Sequence, residues 1–152
     1  DVAIKFFKAF QSGFSYLPET VSYLWKNAIR NPIAVPLSAL AGGFNLNLTS
    51  LRDIEIYARG ISSMDLNAFL PLFESMLEYD ATPVLEKIDV PTLIIGGKKD
   101  SLTPQKLQRE MHKAISDSQF LMVPYGTHCT QLDMPDLVNL RITKFLRGLN
   151  RL

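Results

Sequence analysis

Two residues of this 152-residue chain have the types and the placement that proton-transfer chemistry needs. Asp100 follows the run "PTLIIGGKK", and His128 follows the run "QFLMVPYGT" further along the chain. A carboxylate beside an imidazole accepts a hydrogen bond from one ring nitrogen, so that the other nitrogen can take a proton from a nucleophile. The residues alone leave a second interpretation open for each: Asp100 as a turn residue or helix cap, and His128 as a structural or merely exposed loop residue.

Two predicted strands would position this pair. The run "TLIIG", residues 92–96, is short, apolar and bounded by Pro91 and Gly96, which is typical of a strand buried on both faces of a parallel sheet. The run "QFLMVP" predicts a second strand. Between them Thr103 and Pro104 predict a helix start, with the threonine hydroxyl as the cap and proline at the first helical position. The apolar face of this helix would consist of Leu107, Met111, Ala114 and Ile115.

Strands joined by a helix run parallel, and their carboxyl ends lie at one edge of the sheet. The sequence therefore predicts that Asp100 and His128 meet at that edge. Residues 1–79 instead show helical, amphipathic spacing, and no β pattern stands out before residue 90. Asp65 is expected to cap the helix that begins "LNAFLPLF".

Composition excludes several classes of protein and site. With 16 basic and 15 acidic residues, the formal net charge of +1 gives no electrostatic reason to expect nucleic acid or an anionic membrane as a partner. The single cysteine, Cys129, excludes an internal disulfide framework and a multi-cysteine metal site. No run of about 18 apolar residues is present, so we expect no membrane span.

From Ala81 to Leu149 the sequence resembles the C-terminal part of an α/β-hydrolase. The segments that carry the likeness are "IDVPTLIIGGKKDSLTP" and "YGTHCTQLDMPDLVNLRITKFL". The resemblance implies that Asp100 is the acid and His128 the base of a catalytic triad, with no metal or organic cofactor. It also implies an α/β fold: a helical cap or lid at residues 1–79, and β-α-β-α with an incomplete parallel sheet at residues 80–152.

The third member of such a triad is missing from the sequence. A nucleophilic serine would lie in a G-x-S-x-G turn between a strand and a helix. Ser15 in "SGFSY" lacks the second glycine and a preceding strand, and Ser38 in "PLSAL" has no flanking glycine. We therefore expect the nucleophile to lie outside this chain, on the N-terminal half of the same hydrolase, and this chain alone to be inactive.

The expected parent enzyme is a serine-type hydrolase of the esterase or lipase kind, acting on a small ester-like substrate. An exposed strand edge would also favour self-association, or a cap that packs onto the bare sheet. The alternative belongs to another class: a non-catalytic binding or interaction module derived from a hydrolase.

Other residues near the motifs have simpler predicted roles. Cys129 is expected to be a bystander thiol rather than a nucleophile paired with the adjacent His128, since adjacent residues rarely point their side chains at each other. His112 is expected to be solvated rather than to bind a metal. Asp133 is expected to cap the final helix, and a second acid for His128 is the alternative. The segment "AGGFN", residues 41–45, is expected to be a flexible turn of the cap.

Overall fold

The computed structural model describes residues 2–40 and 43–150 of the chain, which form nine helices and two strands over those ranges. The helices are α1 (Val2–Tyr16), α2 (Pro18–Arg30), α3 (Ala34–Leu40), α4 (Leu51–Ser62), α5 (Leu66–Glu78), α6 (Thr82–Leu85), α7 (Gln105–Ala114), α8 (Thr130–Asp133) and α9 (Pro135–Gly148). The strands are β1 (Thr92–Gly97) and β2 (Ser118–Val123). None of the described helices combines the length and the apolar character needed to cross a bilayer.

The chain divides into two compact units. The first unit comprises residues 1–34 and 55–79, and the second comprises residues 35–54 and 80–152. The boundary between a cap and a hydrolase core at residue 79 stays a prediction. The compact units divide the chain differently from that boundary, because residues 35–54 group with the C-terminal segment.

The first unit is held together by an aromatic core. Its buried members are Phe7, Phe14, Leu66 and Leu70, and the partly buried Phe10, Val21, Trp25, Phe69 and Phe73 pack against them. Phe7 and Phe73 lie with ring centroids 5.0 Å apart in a tilted arrangement, as aromatic pairs prefer. Asp65 caps α5 as predicted, since its carboxylate accepts a hydrogen bond from the Asn67 backbone N–H at 2.9 Å.

The second unit contains the sheet, and its two strands pair in parallel as predicted. The register runs from Thr92 opposite Ser118 to Gly97 opposite Val123. The expectation that β1 is buried on both faces is wrong in part, because Leu93 and Ile95 remain partly exposed. In the described residues each strand has only the other as a neighbour, so the sheet is too narrow to bury every side chain.

The helix between the strands begins one residue later than predicted. Pro104 takes the N-cap position of α7, with no side-chain capping bond, and the helix itself starts at Gln105. Thr103 does not cap because its hydroxyl donates to the Asp100 carboxylate at 2.6 Å instead. On the apolar face expected of this helix, Ile115 is buried, whereas Leu107 and Met111 are exposed.

Candidate active site

The site lies where β1 and β2 end. Backbone hydrogen bonds continue the strand pairing into the two loops: the Lys98 N–H donates to the Val123 carbonyl at 2.9 Å, and the Lys99 N–H to the Gly126 carbonyl at 2.8 Å. These bonds hold the loop that carries Asp100, residues 98–104 (the acid loop), against the loop that carries His128, residues 124–129 (the histidine loop). The ammonium of Lys99 also lies 5.6 Å from the Tyr125 ring centroid, within range of a cation–π contact.

The close approach of the two loops requires a glycine at residue 97. A Cβ atom there would lie 2.3 Å from the Thr127 carbonyl oxygen and 2.4 Å from that of Gly126. Both are backbone atoms, so no side-chain rotation could relieve the contact. The second glycine of "IIGG" therefore brings the backbones of the acid loop and the histidine loop together.

The structure brings Asp100 and His128 within hydrogen-bonding distance. His128 Nδ1 lies 3.2 Å from Asp100 Oδ2. Their environments differ, since the Asp100 side chain is 5% exposed and the His128 side chain 39% exposed. An ionised carboxylate can only accept, so Nδ1 must carry the proton in this contact. The imidazole then has Nε2 as its proton-accepting nitrogen, on a side chain that solvent can reach.

Three further hydrogen bonds orient the Asp100 carboxylate. Oδ1 accepts from the backbone N–H groups of Leu102 and Thr103, both at 2.9 Å, and Oδ2 accepts from the Thr103 hydroxyl at 2.6 Å. Burial alone would raise the pKa of Asp100, but the hydrogen bonds from Thr103, His128 and Leu102 together hold this pKa below its ordinary value. Asp100 is therefore a fixed, ionised acceptor for the imidazole at neutral pH.

The Asp133 carboxylate is hydrogen-bonded to Thr127 in the histidine loop. The prediction that Asp133 caps the final helix is wrong. Met134 takes the N-cap position of α9, without a side-chain bond. The Asp133 carboxylate is buried and accepts at Oδ2 from both the N–H and the hydroxyl of Thr127, each at 2.6 Å. At Oδ1 it accepts from the Asn45 N–H at 2.8 Å and from the Thr49 hydroxyl at 2.5 Å.

The segment predicted as a flexible turn of the cap belongs to this network where it is described. Ala41 and Gly42 lie outside the described residues. The carbonyl of Gly43 accepts from the Cys129 N–H at 3.1 Å and lies 3.0 Å from the Thr127 hydroxyl. On one side of His128, Cys129 is thus bonded to the Gly43 backbone; on the other, Thr127 is linked through Asp133 to the Asn45 N–H.

The remaining candidates from the sequence lie elsewhere or in different surroundings. Ser15 is within α1, where its hydroxyl donates to the Ser12 carbonyl at 2.8 Å. Ser38 is within α3. Cys129 is buried in an apolar cluster with Phe44 and Ile54. None of these surroundings resembles a strand-to-helix nucleophile turn.

His112 is partly buried rather than solvated, so that expectation is wrong in part. Its Nδ1 lies 2.8 Å from the Ser118 hydroxyl, and its ring stacks on Phe120 with centroids 5.5 Å apart. Both partners are on β2, on the side of the strand that α7 covers. The described residues contain no group of three or more histidine, cysteine or acidic side chains close enough to share a metal ion.

Sequence reasoning missed the hydrogen bonds that Thr103 and Asp133 make around the candidate site. For Thr103 a signal was present, because an aspartate three residues before a threonine can accept from it in a local turn. Asp133 gave no local signal. Two of its partners, Asn45 and Thr49, lie 88 and 84 residues away in the sequence.

Comparisons with known proteins agree with this fold. The profile of the α/β-hydrolase family described as TAP-like protein matches residues 75–150, half of the chain. A pimeloyl-[acyl-carrier protein] methyl ester esterase of Neisseria meningitidis is 29% identical over 69 residues, which are 45% of this chain and 27% of the esterase. The chain therefore matches about a quarter of that relative's length.

A solved structure shows the same fold over most of the chain. The crystal structure of a bromoperoxidase from Bacillus anthracis superposes with a TM-score of 0.63 at 23% sequence identity, and it covers 85% of this chain and 49% of the bromoperoxidase. The two-stranded parallel sheet fits an incomplete version of that α/β fold. Together, the matched profile, the esterase relative and the shared fold establish that this chain belongs to the α/β-hydrolase superfamily and corresponds to its C-terminal part.

Proposed function

We propose that this chain supplies the acid and the histidine of a serine-type hydrolase triad, with the nucleophile on a segment that this sequence does not contain. The observation that carries the proposal is the 3.2 Å approach of His128 Nδ1 to Asp100 Oδ2 at the carboxyl ends of two parallel strands. Active groups of open parallel sheets gather at that edge. Membership of a hydrolase superfamily supports the same chemistry.

The proposed roles of His128 and Asp100 are those of the base and the acid of a triad. His128 accepts the proton of the serine hydroxyl at Nε2 as the serine oxygen attacks the carbonyl carbon of an ester. Asp100 holds the imidazole in the Nδ1–H tautomer and stabilises the imidazolium. The imidazolium then gives its proton to the departing alkoxide, which leaves an acyl-enzyme. In the second half of the reaction His128 takes a proton from water as the water oxygen attacks the acyl carbon. The bond between the acyl carbon and the serine oxygen then breaks, the serine oxygen regains its proton from His128, and the carboxylic acid leaves. No metal or organic cofactor enters this proposal.

An ester is the substrate class that the comparisons favour. The Neisseria relative is a methyl ester esterase by its name, and its similarity to this chain covers a segment of 69 residues. The likeness to the bromoperoxidase supports the fold alone. The residues that would choose between esters and related acyl substrates include the oxyanion hole, which we place on the same segment as the nucleophile.

The proposed partner is a segment carrying the nucleophile and further strands of the sheet. β1 pairs only with β2 in the described residues, so one of its edges has backbone groups available for another strand. Leu93 and Ile95 on β1 are also partly exposed. We propose that a strand of the N-terminal half pairs with β1 and covers these side chains.

The test is complementation of activity. The chain is mixed with an N-terminal α/β-hydrolase half that contains G-x-S-x-G, and hydrolysis of a short-chain nitrophenyl ester is measured. We expect no turnover by either half alone and turnover by the complex. His128→Gln should lower kcat by about 10⁶-fold and Asp100→Asn by about 10⁴-fold.

The chain offers a matched control for each variant. His112→Gln changes the only other histidine, and Asp136→Asn changes an exposed aspartate in the first turn of α9. Neither control should change kcat. A complex that keeps its activity after His128→Gln would reject the triad. A complex that forms but hydrolyses no ester would favour a non-catalytic binding module.

A further inference from the structure

We propose that Asp133 is a positioning residue, which fixes His128 against Asp100 by holding both the backbone N–H and the hydroxyl of the preceding residue, Thr127. The proposal rests on the function proposed above, because it assigns a role in orienting the same imidazole. Asp133 acts through Thr127 and would not contact the substrate.

The first argument is the number of donors that converge on one carboxylate. Asp133 is 3% exposed and accepts four hydrogen bonds, two at each oxygen. Two of the donors belong to Thr127, which is itself 5% exposed. A buried carboxylate is costly unless its acceptor sites are filled, and here all four donors are supplied by the protein. The arrangement is therefore specific for an acidic residue with this side-chain length.

The second argument is the contrast between the His128 side chain and its backbone. The side chain is 39% exposed, so packing alone does not fix the ring. The residues on either side are anchored instead: Thr127 by Asp133, and Cys129 by the N–H bond to the Gly43 carbonyl. Fixing both neighbours sets the direction in which the histidine side chain leaves the loop.

The third argument is the sensitivity of the contact that this anchoring maintains. The 3.2 Å separation of His128 Nδ1 and Asp100 Oδ2 is longer than the usual 2.7–2.9 Å of a charge-assisted bond. A further displacement of about 0.4 Å would take it out of hydrogen-bonding range. A small loop shift would thus be enough to separate the imidazole from its carboxylate.

The substitution Asp133→Asn tests this role with little change in shape. The amide nitrogen would face either the two donors of Thr127 or those of Asn45 and Thr49, so at least one donor pair loses its acceptor. Thr127→Val is the second variant, which removes the hydroxyl and keeps the backbone N–H. Asp136→Asn is the matched control, because it removes the same charge from an exposed position three residues away.

The readout is the tautomer of His128, followed through the ¹⁵N chemical shifts of its ring nitrogens at mildly alkaline pH. A role confined to stability would not change this tautomer in the folded chain. We expect the Nδ1–H tautomer in the unsubstituted chain and after Asp136→Asn, and its loss after Asp133→Asn. Amide exchange at Thr127, whose N–H donates to the Asp133 carboxylate, should accelerate at least about tenfold, the equivalent of one hydrogen bond to a charged group.

The ring signals of His112 report whether each variant is folded, since this histidine is bonded to Ser118 on β2. A folded Asp133→Asn variant in which exchange of the Thr127 N–H accelerates but the Nδ1–H tautomer of His128 is kept would overturn the positioning role and leave the proposed triad intact. If Asp133→Asn does not fold, or leaves exchange at Thr127 unchanged, Thr127→Val decides: partial loss of the tautomer supports the role, and full retention overturns it. Absence of the Nδ1–H tautomer in the unsubstituted chain would overturn both proposals.

Discussion

The substitution Thr103→Val isolates one contribution to the charge state of Asp100. The Thr103 hydroxyl donates to Asp100 Oδ2 at 2.6 Å, and valine has nearly the same shape without the donor. The two backbone bonds to Oδ1 and the contact with His128 would remain. We expect the variant to fold, to lose stability at neutral pH, and to have a higher pKa at Asp100.

The magnitude follows from the type of acceptor. A hydrogen bond to a charged group contributes about 1.5–3 kcal/mol, and one to a neutral group about 0.5–1.5 kcal/mol. Because Thr103 is exposed, we take a value in the lower half of the range for a charged acceptor. We therefore expect the free energy of unfolding to fall by about 2 kcal/mol when Asp100 is ionised. Once Asp100 is protonated, the loss should fall to about 1 kcal/mol.

The sign of the pH dependence follows from the lowered pKa of Asp100. Its unfolded-state pKa is about 3.9, and the folded-state pKa lies below that value because the bonds from Thr103, His128 and Leu102 outweigh the effect of burial. The stability that these bonds contribute is therefore fully present above the unfolded-state pKa and is lost as the pH falls through the folded-state pKa. In Thr103→Val this pH-dependent part should be smaller.

Two measurements check the prediction. Urea unfolding, followed by the methyl signals of the fully buried Val123, gives the free energy of unfolding of the second unit at each pH. Carboxyl ¹³C shifts give the pKa of Asp100 directly. The matched control is Thr92→Val, which removes a hydroxyl that donates to the neutral Val90 carbonyl at 2.9 Å. Its cost should be about 1 kcal/mol or less at every pH.

Two outcomes would refute the reasoning. One is a Thr103→Val variant in which the pKa of Asp100 is unchanged, because the hydroxyl would then not stabilise the ionised form. The other is a stability loss that varies with pH equally in Thr103→Val and Thr92→Val, because the pH dependence would then not come from Asp100.

Two further pairs of substitutions test the packing around the site and in the first unit. Gly97→Ala should cost about 3 kcal/mol and separate the acid and histidine loops, because its Cβ would meet two backbone carbonyls. Its control, Gly60→Ala in α4, has nothing within 4 Å of the added Cβ and should stabilise the chain by about 0.5–1 kcal/mol. Urea unfolding measures both, and an unchanged free energy of unfolding in Gly97→Ala would contradict the close approach of the loops. Leu70→Ala should cost about 2–5 kcal/mol in an unfolding curve followed by Trp25 fluorescence, because Leu70 is 3% exposed. Leu72→Ala, at a position 70% exposed on the same helix, should stay within about 0.5 kcal/mol, and equal losses at the two positions would contradict the described core.

Local patterns were sufficient to predict the strands and the meeting of their two loops. The apolar runs set β1 and β2 to within about two residues, and the crossover helix required them to be parallel. Asp100 and His128 each follow one of these strands, so the parallel pairing alone predicts that they come close. Their catalytic roles stay a prediction, supported by the distance between them.

Contacts that depend on tertiary structure could not be predicted in this way. The hydroxyl of Thr103 had two possible partners: a backbone N–H at the N-terminus of α7, from which its oxygen would accept, and the Asp100 carboxylate, to which it donates. The bond to the charged group is the stronger one. The sequence predicts an exposed side chain for His112, because the spacing of apolar residues along α7 does not show that His112 contacts Ser118 and Phe120 on the neighbouring strand. Asp133 resembled a helix cap because its distant partners at residues 45 and 49 leave no trace in the local sequence.

The rate at which a serine-directed phosphonate labels the complex of this chain with a nucleophile-bearing half tests the central claim most directly. The measurement does not depend on knowing the substrate, because the phosphonate reports only whether the serine is activated. We expect covalent labelling at the serine of G-x-S-x-G, slowed by about 10⁴-fold after Asp100→Asn and unaffected by Asp136→Asn. Labelling at the same rate with and without the Asp100 carboxylate would contradict the assignment of Asp100 and His128 as the acid and base of a triad.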